Sequence, residues 1–185
     1  RTRIEDQRPL DEERFRTLVE GASDIVYGTD EFGFFTYVNP VAERLMRRSR
    51  DQLIGMHFTE LVREDKRADV QAFYMRQFAT REQHTYYEFP AMTADGSELW
   101  IGQNVRLLIG DNGRIRGSQA IARDMTQRHE IERMKDQFIS MISHELRTPL
   151  TGIRGSLGLI ATGKVPPDKL QGMVEIAVES TDRLI

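Results

Sequence analysis

One histidine of this chain has a neighbour that could make its imidazole a nucleophile. His144 is followed directly by Glu145, in a stretch with the apolar spacing of a helix. A neutral imidazole nitrogen can attack a phosphoryl group when the N–H on the other side of the ring is held or removed, and an adjacent carboxylate can do this. The pair therefore predicts that His144 accepts a phosphoryl group, with Glu145 as general base.

Thr148 and Pro149 follow one turn further along the same predicted helix. Residues four apart share a helix face, so we expect His144 and Thr148 to lie side by side. The Pro149 ring has no N–H and collides with the carbonyl four residues earlier, which belongs to Glu145. We therefore expect the helix to bend or loosen at Pro149, where the chemistry would occur.

Two simpler interpretations of His144 compete with this one. A histidine on an amphipathic helix is most often an ordinary surface or boundary residue. A zinc protease helix carries the motif His-Glu-x-x-His, whose two histidines bind the metal. Position 148 is threonine here, which excludes that metal site.

The seven residues 144–150, His-Glu-Leu-Arg-Thr-Pro-Leu, resemble the H-box of sensor histidine kinases of the HisKA type. The resemblance implies that His144 takes phosphate from ATP and passes it to an aspartate of a response regulator. It also implies that Glu145 assists this transfer and that Thr148 orients water when the regulator is dephosphorylated. Arg147 falls where the family has a basic residue near the reaction site.

The residues before this motif predict a domain of mixed strands and helices. Asn39 and Pro40 are typical of an N-cap and of the first position of a helix. A short helix at 13–20 is expected to end at Gly21, short helices are expected between 41 and 61, and a longer one at 65–80. Strands are expected at residues 24–29, 34–38, 85–92, 98–109 and 115–122.

This order of elements resembles the PAS fold, an α+β domain with a five-stranded antiparallel sheet and helices on one face. Residues 34–45 resemble the strand and the Val-Asn-Pro passage of PAS domains, and residues 124–126 match their closing Asp-x-Thr. The resemblance implies that Asp124 and Thr126 form hydrogen bonds at the junction between the last strand and an output helix. A simple helix cap would also explain both residues.

The sequence leaves the ligand of the PAS domain open, because the family binds haem, flavin, organic acids, metals or nothing. The chain has no cysteine, which excludes a disulfide, a thioether chromophore and a flavin–cysteine adduct. His57 and His84 are candidate haem ligands, but each lies in a polar neighbourhood without a haem signature. Tyr27, Tyr37 and Trp100 are more typical of sheet packing than of a ligand cage. We expect no metal and no resident cofactor in this part of the protein.

An apolar seam begins shortly after Thr126. Its members, separated by three, four and three residues, are Ile131, Met134, Phe138 and Met141 or Ile142. This spacing predicts a coiled coil, and an ordinary amphipathic helix covered by its own domain is the alternative. The H-box favours the coiled coil and therefore a homodimer.

The segment after Pro149 predicts a helical hairpin. Gly152, Gly155 and Gly158 weaken the first helix at intervals of three and would let another helix come near. Residues 162–168 contain a glycine and two prolines and predict a turn, after which a second helix is expected to run from 168 to 185. Two such hairpins from two chains would form a four-helix bundle.

Composition limits the class of protein. The chain has 185 residues, of which 30% are charged and 39% hydrophobic, and its net charge is −3. This balance gives no indication of nucleic-acid binding. No apolar run reaches the roughly 20 residues of a membrane helix, so we expect no membrane contact and a cytoplasmic location. The first residue is Arg1 and not methionine, which suggests a piece of a longer kinase, in which membrane segments could precede this part.

These expectations combine into four segments and one function. The segments are an incoming linker at 1–12, a PAS sensor domain at 13–124, a coiled-coil signalling helix at 125–137, and a dimerisation and phosphotransfer hairpin at 138–185 with a truncated second helix. The predicted function is that of a sensor histidine kinase of a two-component system. Its partners would be a second copy, a response regulator receiver domain and the ATP-binding domain of the parent kinase, which supplies ATP and Mg²⁺ and has no motif in this sequence.

Two functions of other classes remain open at this stage. A non-catalytic dimeric adaptor would use the PAS domain and the coiled coil only to bring partners together, and His144→Gln would then be silent. A ligand-binding sensor with an incidental hairpin would instead purify with a small molecule in its PAS domain.

Overall fold

The computed structural model describes residues 19–184. The expected linker at 1–12 and most of the expected helix at 13–20 lie outside these residues, although Val19 and Glu20 are helical and Gly21 follows in a turn. The chain divides into two compact units, with the boundary between His129 and Glu130. The two units are described separately below.

The first unit contains one antiparallel sheet, in the strand order β2-β1-β5-β4-β3. All five predicted strands are confirmed to within two residues at each end. The strands are β1 (Ile25–Asp30), β2 (Phe35–Val38), β3 (His84–Met92), β4 (Glu98–Ile109) and β5 (Ile115–Asp124).

Helices connect β2 to β3 and cover one face of the sheet. They are α1 (Pro40–Met46), α2 (Arg50–Leu53), two 3-10 turns at Phe58–Leu61 and Glu64–Lys66, and α3 (Arg67–Thr80). The helix predicted at 65–80 is thus confirmed, except that its first residues form a 3-10 turn. The core lies between these helices and the sheet, and Leu53, Val62 and Val70 are at most 1% exposed.

Asn39 holds the start of α1 to the sheet. Its side-chain oxygen accepts hydrogen bonds from the backbone N–H of Ala42, at 3.2 Å, and of Val26, at 3.1 Å. Its amide nitrogen donates to the carbonyls of Asp24, at 3.0 Å, and Val19, at 3.2 Å. The predicted cap is therefore confirmed, and the same side chain also satisfies backbone groups of β1 and of the segment before it.

The second unit is a hairpin of two helices. Helix α4 (Thr126–Ala161) begins in the first unit and continues into the second, and α5 (Pro167–Asp182) follows a short turn. The helical assignment of α4 continues through Pro149, so the chain does not break there, and a bend at this residue stays a prediction. The second helix, expected to reach 185, ends at Asp182, and Ile185 lies outside the described residues.

Small residues form the contact between α4 and α5. A Cβ atom placed on Gly152 would lie 2.7 Å from the Ser180 hydroxyl oxygen, whereas nothing lies within 4 Å of such an atom at Gly155 or Gly158. Ser156 and Ala177 are the buried residues of the two helices. The expectation of close helix approach is thus confirmed at Gly152, and for Gly155 and Gly158, which α5 does not contact, it stays a prediction.

No helix among residues 19–184 combines the length and the apolar character that crossing a membrane requires.

Asn39→Ala should lower the free energy of unfolding of the first unit by about 3 kcal/mol, because it removes a helix cap and leaves buried backbone groups without partners. The measurement is urea unfolding followed by the fluorescence of Trp100. Asn104→Ala, at an exposed position of β4, is the matched control and should change this free energy by less than about 0.5 kcal/mol. Equal effects of the two substitutions would refute the role assigned to Asn39.

Candidate functional site

The side chains predicted for phosphate chemistry lie on α4. His144, Glu145, Arg147 and Thr148 are exposed in the protomer, and Pro149 is half-buried. The imidazole of His144 can therefore be reached from solvent, as a residue that reacts with other proteins requires.

The backbone around Pro149 is supported by threonine hydroxyls. Thr148 Oγ1 donates to the His144 carbonyl over 3.4 Å, and Thr151 Oγ1 donates to the Arg147 carbonyl over 2.8 Å. Pro149 itself has no N–H to donate to the Glu145 carbonyl. The turn that carries His144 and Glu145 thus lacks one of its regular backbone hydrogen bonds.

A groove of about 370 Å³ brings the candidate residues together with the end of the second helix. His144, Glu145, Thr148 and Pro149 line it from α4, together with Ile142 and Leu146, and Arg183 and Leu184 line it from the residues that follow α5. Arg147 does not line this groove. It lies in a neighbouring groove with Ser143, Leu146, Leu150, Thr151 and Arg154.

Arg183 is a site residue that the sequence analysis missed. A usable signal was present, because a second helix starting at 168 and rising about 1.5 Å per residue returns close to the level of His144. Arg183 is the basic residue at that level. Its guanidinium places a fixed positive charge at the mouth of a groove that holds an imidazole and a carboxylate.

The predicted coiled-coil seam is uncovered in the protomer. Ile131, Met134 and Phe138 are 55–60% exposed, and Met141 and Ile142 are also exposed. Large apolar side chains at this spacing on one helix form a contiguous surface that water solvates poorly.

Asp124 and Thr126 both form the contacts expected at the end of the sheet. The Asp124 carboxylate accepts a hydrogen bond from the Thr126 N–H over 2.8 Å and thereby caps α4. The Thr126 hydroxyl oxygen accepts from the Trp100 N–H over 3.0 Å, and the Met125 N–H donates to the Trp100 carbonyl over 2.8 Å. The residues that cap α4 therefore also form the junction between the sheet and this helix.

His129 also belongs to this junction, although nothing in its sequence context indicated it. Its Nε2 lies 2.8 Å from a carboxylate oxygen of Glu88 on β3, and its ring stacks on Trp100 with 3.9 Å between the ring centroids. The pKa of Glu88 is lowered, first because the Tyr86 hydroxyl donates to it and further by His129 and Arg128.

The first unit contains a cavity of about 360 Å³ between the sheet and α3. Its lining residues are Tyr27, Thr29, Glu31, Phe32, Gly33, His57, Phe58, Gln71, Tyr74, Met75, Phe78, Val105 and Ser118. Gln103 connects the two tyrosines, since it accepts from the Tyr27 hydroxyl and donates to the Tyr74 oxygen. Burial raises the pKa of both hydroxyls, that of Tyr74 to about 12, so they stay protonated at neutral pH.

The candidate haem ligands have different surroundings. Both ring nitrogens of His57 are engaged, one with the Phe32 carbonyl at 3.0 Å and the other with the Thr59 hydroxyl at 2.7 Å. His84 is exposed at the start of β3. Across residues 19–184, no three His, Cys, Asp or Glu side chains are grouped so that they could hold a metal ion.

The family model of the PAS fold matches residues 13–125. The chain belongs to the PAS family. A second model, the His Kinase A phospho-acceptor domain, matches residues 134–185, which places a HisKA domain directly after the PAS domain. The two matches cover both resemblances seen in the sequence.

Curated relatives that this chain resembles are sensor kinases. The sensor protein kinase WalK of Staphylococcus haemolyticus is 24% identical over 174 residues, which are 93% of this chain and 27% of the relative. WalK of Staphylococcus aureus is also 24% identical, over 93% of this chain and 40% of that relative. This PAS and HisKA chain thus spans about a quarter to two fifths of the curated relatives that it matches.

Solved structures support the fold of the PAS domain. A PAS domain of a protein from Colwellia psychrerythraea superimposes with a TM-score of 0.58 at 22% identity, covering 64% of this chain and 98% of that one. At this identity the likeness applies to the fold alone.

Proposed function

We propose that this chain senses a signal through its PAS domain and accepts phosphate on His144, as part of a two-component sensor histidine kinase. The observation that carries the proposal is the exposed His144 in one groove with Glu145, Thr148 and Arg183, within the segment that matches the HisKA domain. The names of the relatives, which are sensor kinases, support it.

The proposed reaction needs little from the chain beyond position and charge. One ring nitrogen of His144 attacks the terminal phosphorus of ATP, a nitrogen–phosphorus bond forms, and the bond to the ADP oxygen breaks. Glu145 holds or takes the proton of the other nitrogen, so that the ring does not accumulate positive charge. An aspartate of a receiver domain then attacks the same phosphorus, and the nitrogen–phosphorus bond breaks.

Arg183 has a defined place in this scheme. A phosphoryl group between His144 and the attacking or leaving oxygen carries negative charge on its outer oxygens, and a guanidinium binds such oxygens with paired N–H donors. Since Arg183 lines the groove, we propose that it stabilises the phosphoryl group during transfer.

Thr148 and Pro149 are proposed to serve the reverse activity, hydrolysis of the phosphorylated regulator. The Thr148 hydroxyl donates a hydrogen bond to the His144 carbonyl, and its oxygen can still accept a hydrogen bond from water. Because Pro149 removes a backbone bond from this turn, a small change in helix shape could release the hydroxyl to orient that water.

We propose that the uncovered seam of α4 is covered by a second copy of the chain. Ile131, Met134 and Phe138 would form the a and d layers of a parallel coiled coil, and the hairpins below would form a four-helix bundle. His144 then lies beside the core, on the rim, where a receiver domain can approach it. ATP and receiver domains are found in the cytoplasm, so we place this part of the protein there.

Signal transmission is proposed to begin at Asp124 and Thr126. Thr126 connects β4 to the first turn of α4, and Asp124, the last residue of β5, caps that turn. A change in the sheet therefore alters the start of this helix. Two discrete arrangements of the helix would then favour either phosphorylation of His144 or hydrolysis at the regulator. The cavity beside α3 supports a second role for the same domain, the binding of a small signal molecule.

His144→Gln should abolish phosphate acceptance, because it removes the only proposed nucleophile. The chain is mixed with the isolated ATP-binding domain of a HisKA-type kinase, Mg²⁺ and labelled ATP, and acid-labile, base-stable label is measured. Glu145→Gln should slow labelling by about 100-fold or more. His84→Gln, at an exposed position of the PAS domain, is the control and should label normally. Label that persists on His144→Gln would reject the proposal in favour of an adaptor.

Arg183→Gln should lower the rate of labelling in the same assay by roughly tenfold, the loss expected for one charge-assisted contact to a phosphoryl group. Lys169→Gln removes the same charge at the opposite end of α5 and is the matched control. If both substitutions slow labelling equally, the effect belongs to net charge and Arg183 has no special role.

Thr126→Ala should shift the balance between phosphorylation of a receiver domain and its dephosphorylation, because the Trp100 N–H loses its acceptor. Asp124→Ala should act in the same way through the lost cap. Thr126→Ser keeps the hydroxyl and should behave as the wild type. The ratio of the two rates is measured with a receiver domain that the wild-type chain phosphorylates, and an unchanged ratio in both alanine variants would count against this route.

A further inference from the structure

The first turn of α4 is held to the sheet by an imidazole that contacts a carboxylate and an indole. The His129 Nε2 atom lies 2.8 Å from Glu88 Oε2, and the two side chains are each 25% exposed. The same ring stacks on the Trp100 indole at 3.9 Å, with 23° between the ring planes. Its backbone N–H donates to the Met125 carbonyl over 3.0 Å, so the ring is anchored to the start of the helix.

The sheet is shaped to receive this turn. A Cβ atom on Gly102 of β4 would lie 2.6 Å from the Tyr86 hydroxyl oxygen and 3.0 Å from Met125 Cγ. Tyr86 and Met125 thus cover the backbone at Gly102 so closely that a Cβ atom there would displace their side chains. The Tyr86 hydroxyl in turn donates to the Glu88 carboxylate. The first turn of α4 therefore contacts the sheet through packed side chains as well as through the ion pair between His129 and Glu88.

The groups around His129 include a carboxylate that stays ionised. Glu88 is the carboxylate in contact, and its lowered pKa keeps it charged through the mildly acidic range. The other charged or titratable groups of the cluster are Tyr86 on β3, Glu98 on β4, which accepts from the Trp100 indole N–H, Arg123 on β5 and Arg128 on α4. Glu132 and Arg133 follow on the next turn of the helix.

We propose that His129 is a proton-sensitive clamp, which fixes the first turn of α4 to the sheet when it is protonated and weakens its hold when it is neutral. The imidazolium forms a charge-assisted hydrogen bond with the Glu88 carboxylate and a cation–π contact with Trp100. The neutral ring retains at most an ordinary hydrogen bond and a stacking contact. Proton release therefore loosens the point at which the sheet connects to the output helix.

The direction of the pH dependence follows from the two partners. An ordinary histidine loses its proton at about pH 6.5, and Glu88 stays ionised above the usual carboxylate range of about pH 4 to 4.5. The clamp is thus complete where the imidazole carries its proton and Glu88 is ionised, and its contribution is lost as the pH rises and that proton is released. The proposed phosphate chemistry plays no part in this inference, so each can fail without the other.

The fluorescence of Trp100 tests the protonation of its neighbour directly, because the chain contains a single tryptophan. A protonated imidazole in contact with an indole quenches its emission. In the wild-type chain, emission should fall as the pH is lowered from 8.5 to 5, in one transition. His129→Gln should remove this transition, and Glu88→Gln should move its midpoint to lower pH, since the neutral amide no longer stabilises the imidazolium.

The exposed histidines of the chain provide the controls. His84→Gln and His144→Gln each remove one titrating imidazole away from Trp100 and should leave the transition in place. A transition that persists in His129→Gln, or a midpoint that Glu88→Gln does not move, would overturn the proposal.

Amide hydrogen exchange tests whether protonation of His129 fixes the first turn of α4 to the sheet. The Met125 N–H donates to the Trp100 carbonyl over 2.8 Å and reports whether the turn stays on the sheet. After correction for the intrinsic exchange rate, its protection in the wild type should fall by about threefold or more between pH 5.5 and 8, and His129→Gln should show the lower protection at both values. Protection that is equal at both pH values in the wild type would refute the clamp, even if the fluorescence responds.

Discussion

The register of β4 against β5 places Asp124 opposite Ile101, so the chain leaves the sheet beside Trp100. The register of β3 against β4 in turn places Phe89 opposite Ile101, which brings Glu88 to the same corner. A shift of one residue in either pair would turn these side chains to the opposite face. The cap, the Thr126 hydrogen bond and the His129 contacts all depend on these two registers.

The register also explains which parts of the molecule could be predicted from the sequence. The five strands follow from local alternation and turn residues, and Asn39 with Pro40 is a local signal for a helix start. The partners of the junction are not local. His129 and Glu88 are 41 residues apart, and only the order of the strands brings them together.

The proposed phospho-acceptor site also combines residues that are local in sequence with one that is not. His144, Glu145 and Thr148 were predicted together because they share one helix, and they line one groove. Arg183 comes from the returning helix, and its place depends on how α5 packs on α4, through Gly152 and Ser180. The sequence offers three glycines at which another helix could come near. Two packed helices touch over a limited area, and of these glycines only Gly152 lies where α5 packs on α4.

Pro149 did not end the helix because a proline removes one hydrogen bond of many, and the regular turns on both sides continue to hold the chain. Gly102 is the less obvious special position of the backbone. It has no side chain, and a Cβ atom there would collide with the Tyr86 hydroxyl and press against Met125 Cγ. A methyl group at Gly102 would have to displace these two side chains, so the corner where the chain leaves the sheet has room for a hydrogen atom alone.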